Sequence, residues 1–178
     1  VGQGAMSAVL AMDAEKIEEV IATIEGVQIA NYNCPGQIVI SGKTEAVAEA
    51  GEKLKEAGAK RVLPLKVSGP FHSKMLVGAG EKLGKVLDTV EIHTPEIPYI
   101  ANVTADYVTD AVDVKPLLMK QVSSSVRWEQ TIRKMLADGV DTFIEIGPGK
   151  TLTGFMRKID KNAKAFNIEK LEDLEKLK

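Results

Sequence analysis

The chain has 178 residues, of which 44% are hydrophobic and 27% charged, with a formal net charge of −2. That composition can bury a core in one domain or two small ones, and it excludes a chain disordered by composition. The near-neutral balance, with no long basic run, excludes an electrostatic nucleic-acid binder. No run of about 18 apolar residues is present, so no spanning helix is expected. The one cysteine, Cys34, cannot form an intrachain disulfide, has no second cysteine for a metal cluster, and fits a reducing cytoplasm. The opening Val1-Gly2-Gln3-Gly4 has neither an initiator Met nor a charged n-region, and is expected to continue a longer protein rather than to be a signal peptide.

In chain order, residues 5–11 form an apolar run suited to a buried strand. Asp13 is placed as a helix N-cap, followed at helical spacing by Ile17, Val20, Ile21 and Ile24, with Gly26 as the stop. Residues 27–31 and 37–41 read as a hairpin around the turn Cys34-Pro35-Gly36. Thr44 is expected to cap a second helix, with Val47, Ala50, Leu54 and Ala57 on one face and Gly58 at the end. Residues 61–65 are a fourth strand. The order βαββαβ is the split βαβ of a ferredoxin-like unit, spanning residues 5–66.

Beyond it, residues 67–178 alternate strands and helices. Helices are expected over 75–87 (weakened by Gly78, Gly80 and Gly84), over 113–122 with Pro116 in its first turn, and over 126–137, 150–159 and 169–178. Strands are expected over 97–101, 142–146 and 165–168. Such alternation implies a parallel sheet with helices on its faces.

The stretch Val67-Ser68-Gly69-Pro70-Phe71-His72-Ser73 carries the chemistry best. It joins a strand to a helix, where a side chain stands on a rigid edge. His72 there suits a general base and acid near neutral pH, although a surface or packed loop histidine is the plainer account. His93, in the polar connection Glu91-Ile92-His93-Thr94-Pro95, competes only weakly. Asn31, Asn33 and Gln37 could orient a ligand with their amides, but Asx-turn bonding to the backbone is preferred. Gly147-Pro148-Gly149-Lys150 could bind an anion at a helix start, but lacks P-loop spacing and reads rather as a tight turn. No serine lies in a Gly-x-Ser-x-Gly elbow.

The histidine stretch resembles that of the malonyl-CoA:acyl carrier protein transacylases. Four further blocks match in register: Gly4-Ala5-Met6-Ser7-Ala8-Val9-Leu10, the run from Asn31-Tyr32-Asn33-Cys34-Pro35 to Ser41-Gly42, residues 121–128, and Glu145-Ile146-Gly147-Pro148-Gly149-Lys150-Thr151-Leu152. The resemblance runs from Gly4 to about Ile159 and is to the C-terminal part of that family. It implies an α/β fold in which a ferredoxin-like subdomain (5–66) is inserted into an α/β-hydrolase-like parallel-sheet core, of which 67–178 is the C-terminal part. It implies transfer of malonyl from coenzyme A to the phosphopantetheine thiol of acyl carrier protein, through a serine ester, in fatty-acid biosynthesis. It assigns His72 as the base and Gln121 as the residue whose main-chain carbonyl holds the histidine Nδ1–H. It assigns Phe71 to exclusion of an α-methyl branch, although Gly69-Pro70 departs from the usual His-Ala before it. No cofactor, metal or membrane is implied, and the parent enzyme is expected to be monomeric and cytoplasmic. The family's nucleophilic serine and carboxylate-binding arginine would precede Val1, so this chain alone is expected to be inactive. The competing reading is a non-catalytic ferredoxin-like module that binds a carrier protein or partner chain.

Overall fold

The computed structural model describes residues 3–177; the sequence readings at Val1, Gly2 and Lys178 lie outside them. The first part runs β1 (Gly4–Leu10), α1 (Ala14–Ile21), β2 (Val27–Cys34), β3 (Gln37–Lys43), α2 (Thr44–Glu56) and β4 (Arg61–Pro64). The strands form one sheet in the order β2-β3-β1-β4, and every neighbouring pair is antiparallel. Alternation along β1, β2 and β3 sends Val9, Ile29, Ile38 and Ile40 to one face. There they meet Ile17 and Ile21 of α1 and Val47, Ala50 and Leu54 of α2 in a single buried cluster. Burying an aliphatic side chain of this size contributes about 1.5–3 kcal/mol, so this cluster dominates the stability of the first part.

Asp13 occupies the N-cap position of α1 but makes no side-chain cap hydrogen bond. That helix stops at Ile21, five residues before Gly26, whose φ of +92° serves the entry to β2 instead. Thr44 is the first residue of α2, with Lys43 at the N-cap. Gly36 (φ +70°) shapes the Pro35-Gly36 turn, so both strands of the hairpin run longer than expected.

The second part holds α3 (Val77–Leu87), β5 (Tyr99–Ala101), β6 (Asp106–Val108), α4 (Ala111–Gln121), α5 (Trp128–Ala137), β7 (Thr142–Ile146), α6 (Thr151–Ile159) and β8 (Lys164–Ile168). Single 3-10 segments cover Lys74–Leu76 and Leu171–Leu177. The expected parallel pairing holds for β7 with β8; β5 instead turns back on β6 as an antiparallel hairpin. Ala105 (φ +55°) makes that turn, which no glycine marks in the sequence.

Three helices also differ from expectation. The Asp110 carboxylate accepts the Val112 N–H at 3.0 Å and starts α4 two residues early. Pro116 therefore sits inside the helix rather than in its first turn, where it removes one i→i−4 bond. The start of α5 is delayed to Trp128, because the Val126 backbone is engaged by β2. The charged C-terminal helix is a 3-10 segment, held at its start by Asp173, which accepts the N–H groups of Glu169 and Lys170. Conversely, α3 forms despite its glycines, and Gly80 and Gly84 are buried against α4.

The two parts meet at β2. Cys34, fully buried at its end, packs with Ile132 of α5 and with Met156 and Ile159 of α6. Burial pushes the Cys34 thiol pKa up, as befits a packing residue. Ile144 and Ile146 of β7 are exposed, as are Leu63, Leu65 and Val67 around β4.

Candidate functional site

The loop between β4 and α3 is pinned at three points. The Pro70 ring lies so close to Gly4 that a Cβ there would meet it at 2.4 Å. The Ser73 hydroxyl, buried, donates to the Pro70 carbonyl at 2.7 Å. The Gln28 side chain, from β2, donates through Nε2 to the His72 carbonyl at 3.0 Å and accepts the Lys74 N–H through Oε1 at 2.9 Å.

Between these pins His72 holds φ +56°, a left-handed conformation uncommon outside glycine. Such a residue stores about 1–3 kcal/mol of backbone strain, which its surroundings must over-determine. The conformation sends the imidazole toward the end of α4. There Nδ1 lies 3.0 Å from the main-chain oxygen of Gln121, the last residue of the helix. Carbonyls in a last helical turn lack intrahelical partners, so this oxygen is free to accept. A carbonyl can only accept, so the bond puts the proton of the neutral ring on Nδ1 and leaves the Nε2 lone pair for proton transfer.

The chain beyond Gln121 is tied down in turn. The Ser125 hydroxyl donates to the Ile29 carbonyl at 2.6 Å. Val126 N–H donates to Ala30 O at 2.8 Å, and Val126 O accepts Tyr32 N–H at 2.9 Å. This adds one parallel bridge to the outer edge of β2. The Arg127 guanidinium sits 5.6 Å over the Tyr32 ring, and the Tyr32 hydroxyl donates to Glu18 at 2.6 Å. Burial, reinforced by the Glu18 carboxylate, holds the Tyr32 phenol well above its usual pKa. From the other side, α3 crosses α4 so tightly that a Cβ on Gly80 would meet the Met119 carbonyl oxygen at 2.7 Å.

His72 and Gln121, far apart in sequence, are thus brought together. Phe71 sits beside them by chain connectivity and is 44% exposed. Asn31 lies in β2, opposite the Val126 bridge. Asn31 and Asn33 are both strand residues, so the expected Asx turn has no turn to occupy. Gln37 accepts Lys158 Nζ at 3.2 Å and links the hairpin to α6. His93 is exposed, 3.7 Å from the equally exposed Glu91. The Gly147-Pro148-Gly149 turn is no anion site: the Glu145 carboxylate already accepts the Leu152 and Thr153 N–H groups (3.0 and 2.8 Å) and the Thr153 hydroxyl (2.6 Å). Burial opposes ionisation of Glu145, but these three hydrogen bonds outweigh it and hold its pKa below the usual carboxylate value. The apolar recess lined by Trp128, Ile132, Met135, Phe143 and Leu152 contains neither His72 nor Gln121. Among the described residues, no three His, Cys, Asp or Glu side chains gather as a metal site requires, and no helix is long and apolar enough to cross a membrane.

Gln28, Ser73, Ser125 and Glu145 were given no role from the sequence. Each acts through bonds to main-chain groups, and only the position of Ser73, next to His72, offered a local signal.

A helix-end carbonyl thus holds the His72 ring by Nδ1, and the wider chain can be compared with known proteins. Residues 1–172 match the acyl transferase domain family. The chain belongs to that family. Among relatives of this acyl transferase chain, the malonyl CoA-acyl carrier protein transacylase of Bacillus subtilis (strain 168) is 50% identical over 178 residues, covering 98% of this chain and 56% of that protein. The enzyme of the same name from Staphylococcus aureus (strain COL) is 40% identical over 177 residues, covering 97% and 58%. The crystal structure of an acyl carrier protein S-malonyltransferase from Vibrio cholerae superposes with a TM-score of 0.96 at 41% identity, covering 99% of this chain and 59% of that one. A malonyl-transacylase in complex with its type II PKS acyl-carrier protein superposes with a TM-score of 0.93 at 36% identity, covering 97% and 57%. The acyl transferase chain, a mixed α/β fold, therefore spans a little over half the length of the curated relatives it matches.

Proposed function

We propose that this chain supplies the histidine half of the acyl-transfer centre of a malonyl-CoA:acyl carrier protein transacylase. The observation that carries the reading is the 3.0 Å contact from His72 Nδ1 to the Gln121 carbonyl, which frees Nε2 for chemistry. In the first half-reaction, His72 Nε2 takes the proton of a serine hydroxyl as its oxygen attacks the malonyl thioester carbonyl. The C–S bond breaks, and the proton passes to the departing coenzyme A thiolate. In the second, Nε2 takes the proton of the carrier's phosphopantetheine thiol, sulfur attacks the serine ester, and the proton returns to the serine oxygen. No cofactor is needed. A carbonyl in place of a triad carboxylate holds the tautomer without a full countercharge.

The acyl carrier protein as acceptor is supported by the malonyl-transacylase that superposes on this chain in complex with its own carrier. Phe71, exposed beside the base, suits a role in rejecting an α-methyl branch. Asn31 is the weaker candidate for substrate contact, since it sits on the strand edge that receives Val126. The order β2-β3-β1-β4 supports a ferredoxin-like subdomain over 5–66, and the parallel β7–β8 pair with its helices supports 67–178 as part of an α/β-hydrolase-like core. The enzyme would work as a cytoplasmic monomer. The chain by itself would not turn over, because none of its serines has the sequence of a nucleophile elbow. A module that only binds would have no need of a strained histidine with a fixed tautomer.

The test is His72→Ala in the complete enzyme, with malonyl-serine formation followed by intact mass. Loss of a general base costs about 10²–10⁴-fold, and loading at the wild-type rate would end the reading.

A further inference from the structure

We propose that Gln28 is a positioning residue for His72, a part no local sequence feature assigns to it; this rests on the reading of His72 as the base. The His72 carbonyl offers only an acceptor and the Lys74 N–H only a donor. One primary amide presents both complements at the required spacing, and Gln28 uses both of its ends, at 3.0 and 2.9 Å. The bridge spans Ser73 and starts on the carbonyl of His72, the residue that holds φ +56°. With the carbonyl before Ser73 and the N–H after it both fixed, the peptide plane following His72 cannot rotate toward the commoner right-handed region without breaking the bridge.

The ring direction follows from that backbone conformation, and so does its reach to Gln121. Gln28 leaves β2 one residue before Ile29, whose carbonyl anchors Ser125, and two before Ala30, which anchors Val126. One short stretch of strand therefore fixes both members of the His72–Gln121 pair. Without the bridge, the neutral ring would lose its Nδ1–H lock and populate the Nε2–H form, which cannot accept the nucleophile's proton at Nε2.

The experiment uses the 178-residue chain with nitrogen-15 in its histidines and its tryptophan. There are two histidines, so exposed His93 is the internal reference, and the single tryptophan, Trp128, reports folding through its indole N–H. Gln28→Met keeps the length and removes both polar ends; Gln28→Glu keeps the acceptor and sets a carboxylate against the His72 carbonyl. In both variants the His72 ring-nitrogen shifts should move from a dominant Nδ1–H form to a mixture of tautomers, with His93 and Trp128 unchanged. In the complete enzyme, Gln28→Met should lower kcat by about 10–100-fold with KM unchanged, the expected result of misplacing a base rather than losing a binding contact. A wild-type His72 pattern in folded Gln28→Met would overturn the proposal; should that variant not fold, the same pattern in Gln28→Glu would do so. The spectrum needs no turnover, so it stands or falls separately from the His72→Ala loading experiment.

Discussion

Gly80→Ala tests whether the α3–α4 contact sets the distance between His72 and its acceptor. The added Cβ would lie 2.7 Å from the Met119 carbonyl oxygen, where ordinary contact begins near 3.4 Å. About 0.7 Å must therefore be found, and the obstacle is backbone. Whichever helix yields, the pair is disturbed, because α3 follows the His72 loop directly and α4 ends on Gln121. A shift of that size along the bond would stretch 3.0 Å to about 3.7 Å, beyond hydrogen-bond range. Losing the bond removes about 0.5–1.5 kcal/mol, overpacking adds about 1–3, and replacing a helical glycine returns up to about 1. The net expectation is a destabilisation of about 1–3 kcal/mol, or roughly 3–10 °C in melting temperature for a chain of this size. Thermal unfolding and the His72 ring-nitrogen signals read the two effects together. Gly84→Ala is the matched control: its Cβ would meet only the thioether end of Met119, which can swing aside. Gly78→Ala, with nothing within 4 Å, should be neutral or slightly stabilising. Gly80→Ala melting at or above the unmodified chain, with the Nδ1–H signal in place, would refute the reasoning.

Glu145→Ala strips three hydrogen bonds from the start of α6 and should lower stability by about 1–3 kcal/mol in denaturant unfolding. Asp173 is held at about 2 against its usual 3.8, chiefly by the hydrogen bond from Lys176 and then by the Glu169 N–H. Its contribution is therefore complete above about pH 4 and is lost as pH falls toward 2; amide exchange at Glu169 and Lys170 should accelerate across that window, and not in Asp173→Asn. In the complete enzyme, Phe71→Ser should relax selection against methylmalonyl by no more than the about 1–3 kcal/mol that one methyl is worth, as read by competition between the two thioesters.

The four strands of the antiparallel sheet were legible in the sequence, with ends displaced by one to three residues. The apolar run of β1, the Pro35-Gly36 turn between β2 and β3, and Gly58 (φ +105°) after α2 are local signals for local structure. The β5–β6 hairpin was half seen, because three-residue strands carry too little alternation and Ala105 gives no warning of its positive φ. The start of α5 was misplaced because Val126 has an acceptable helical pattern and is drawn out of the helix by a long-range bond to Ala30. His72 stood out by its turn. Gln121 came only from resemblance, since a main-chain acceptor has no side-chain signature, and Gln28 was invisible because its partners are backbone groups 44 and 46 residues away.

The shared anchorage on β2 has a mechanical consequence. Residues 28–32 of that strand hold the His72 loop on one side and the chain after Gln121 on the other. A displacement of the strand moves both ends of the His72–Gln121 bond in the same direction. In the language of circuits, such motion is common-mode, and it cancels in the difference that matters, the donor–acceptor distance. Bending of the sheet against the rest of the molecule would therefore leave the His72–Gln121 distance unchanged, whereas relative motion of α3 and α4, which has no such cancellation, is opposed by glycine packed directly on backbone.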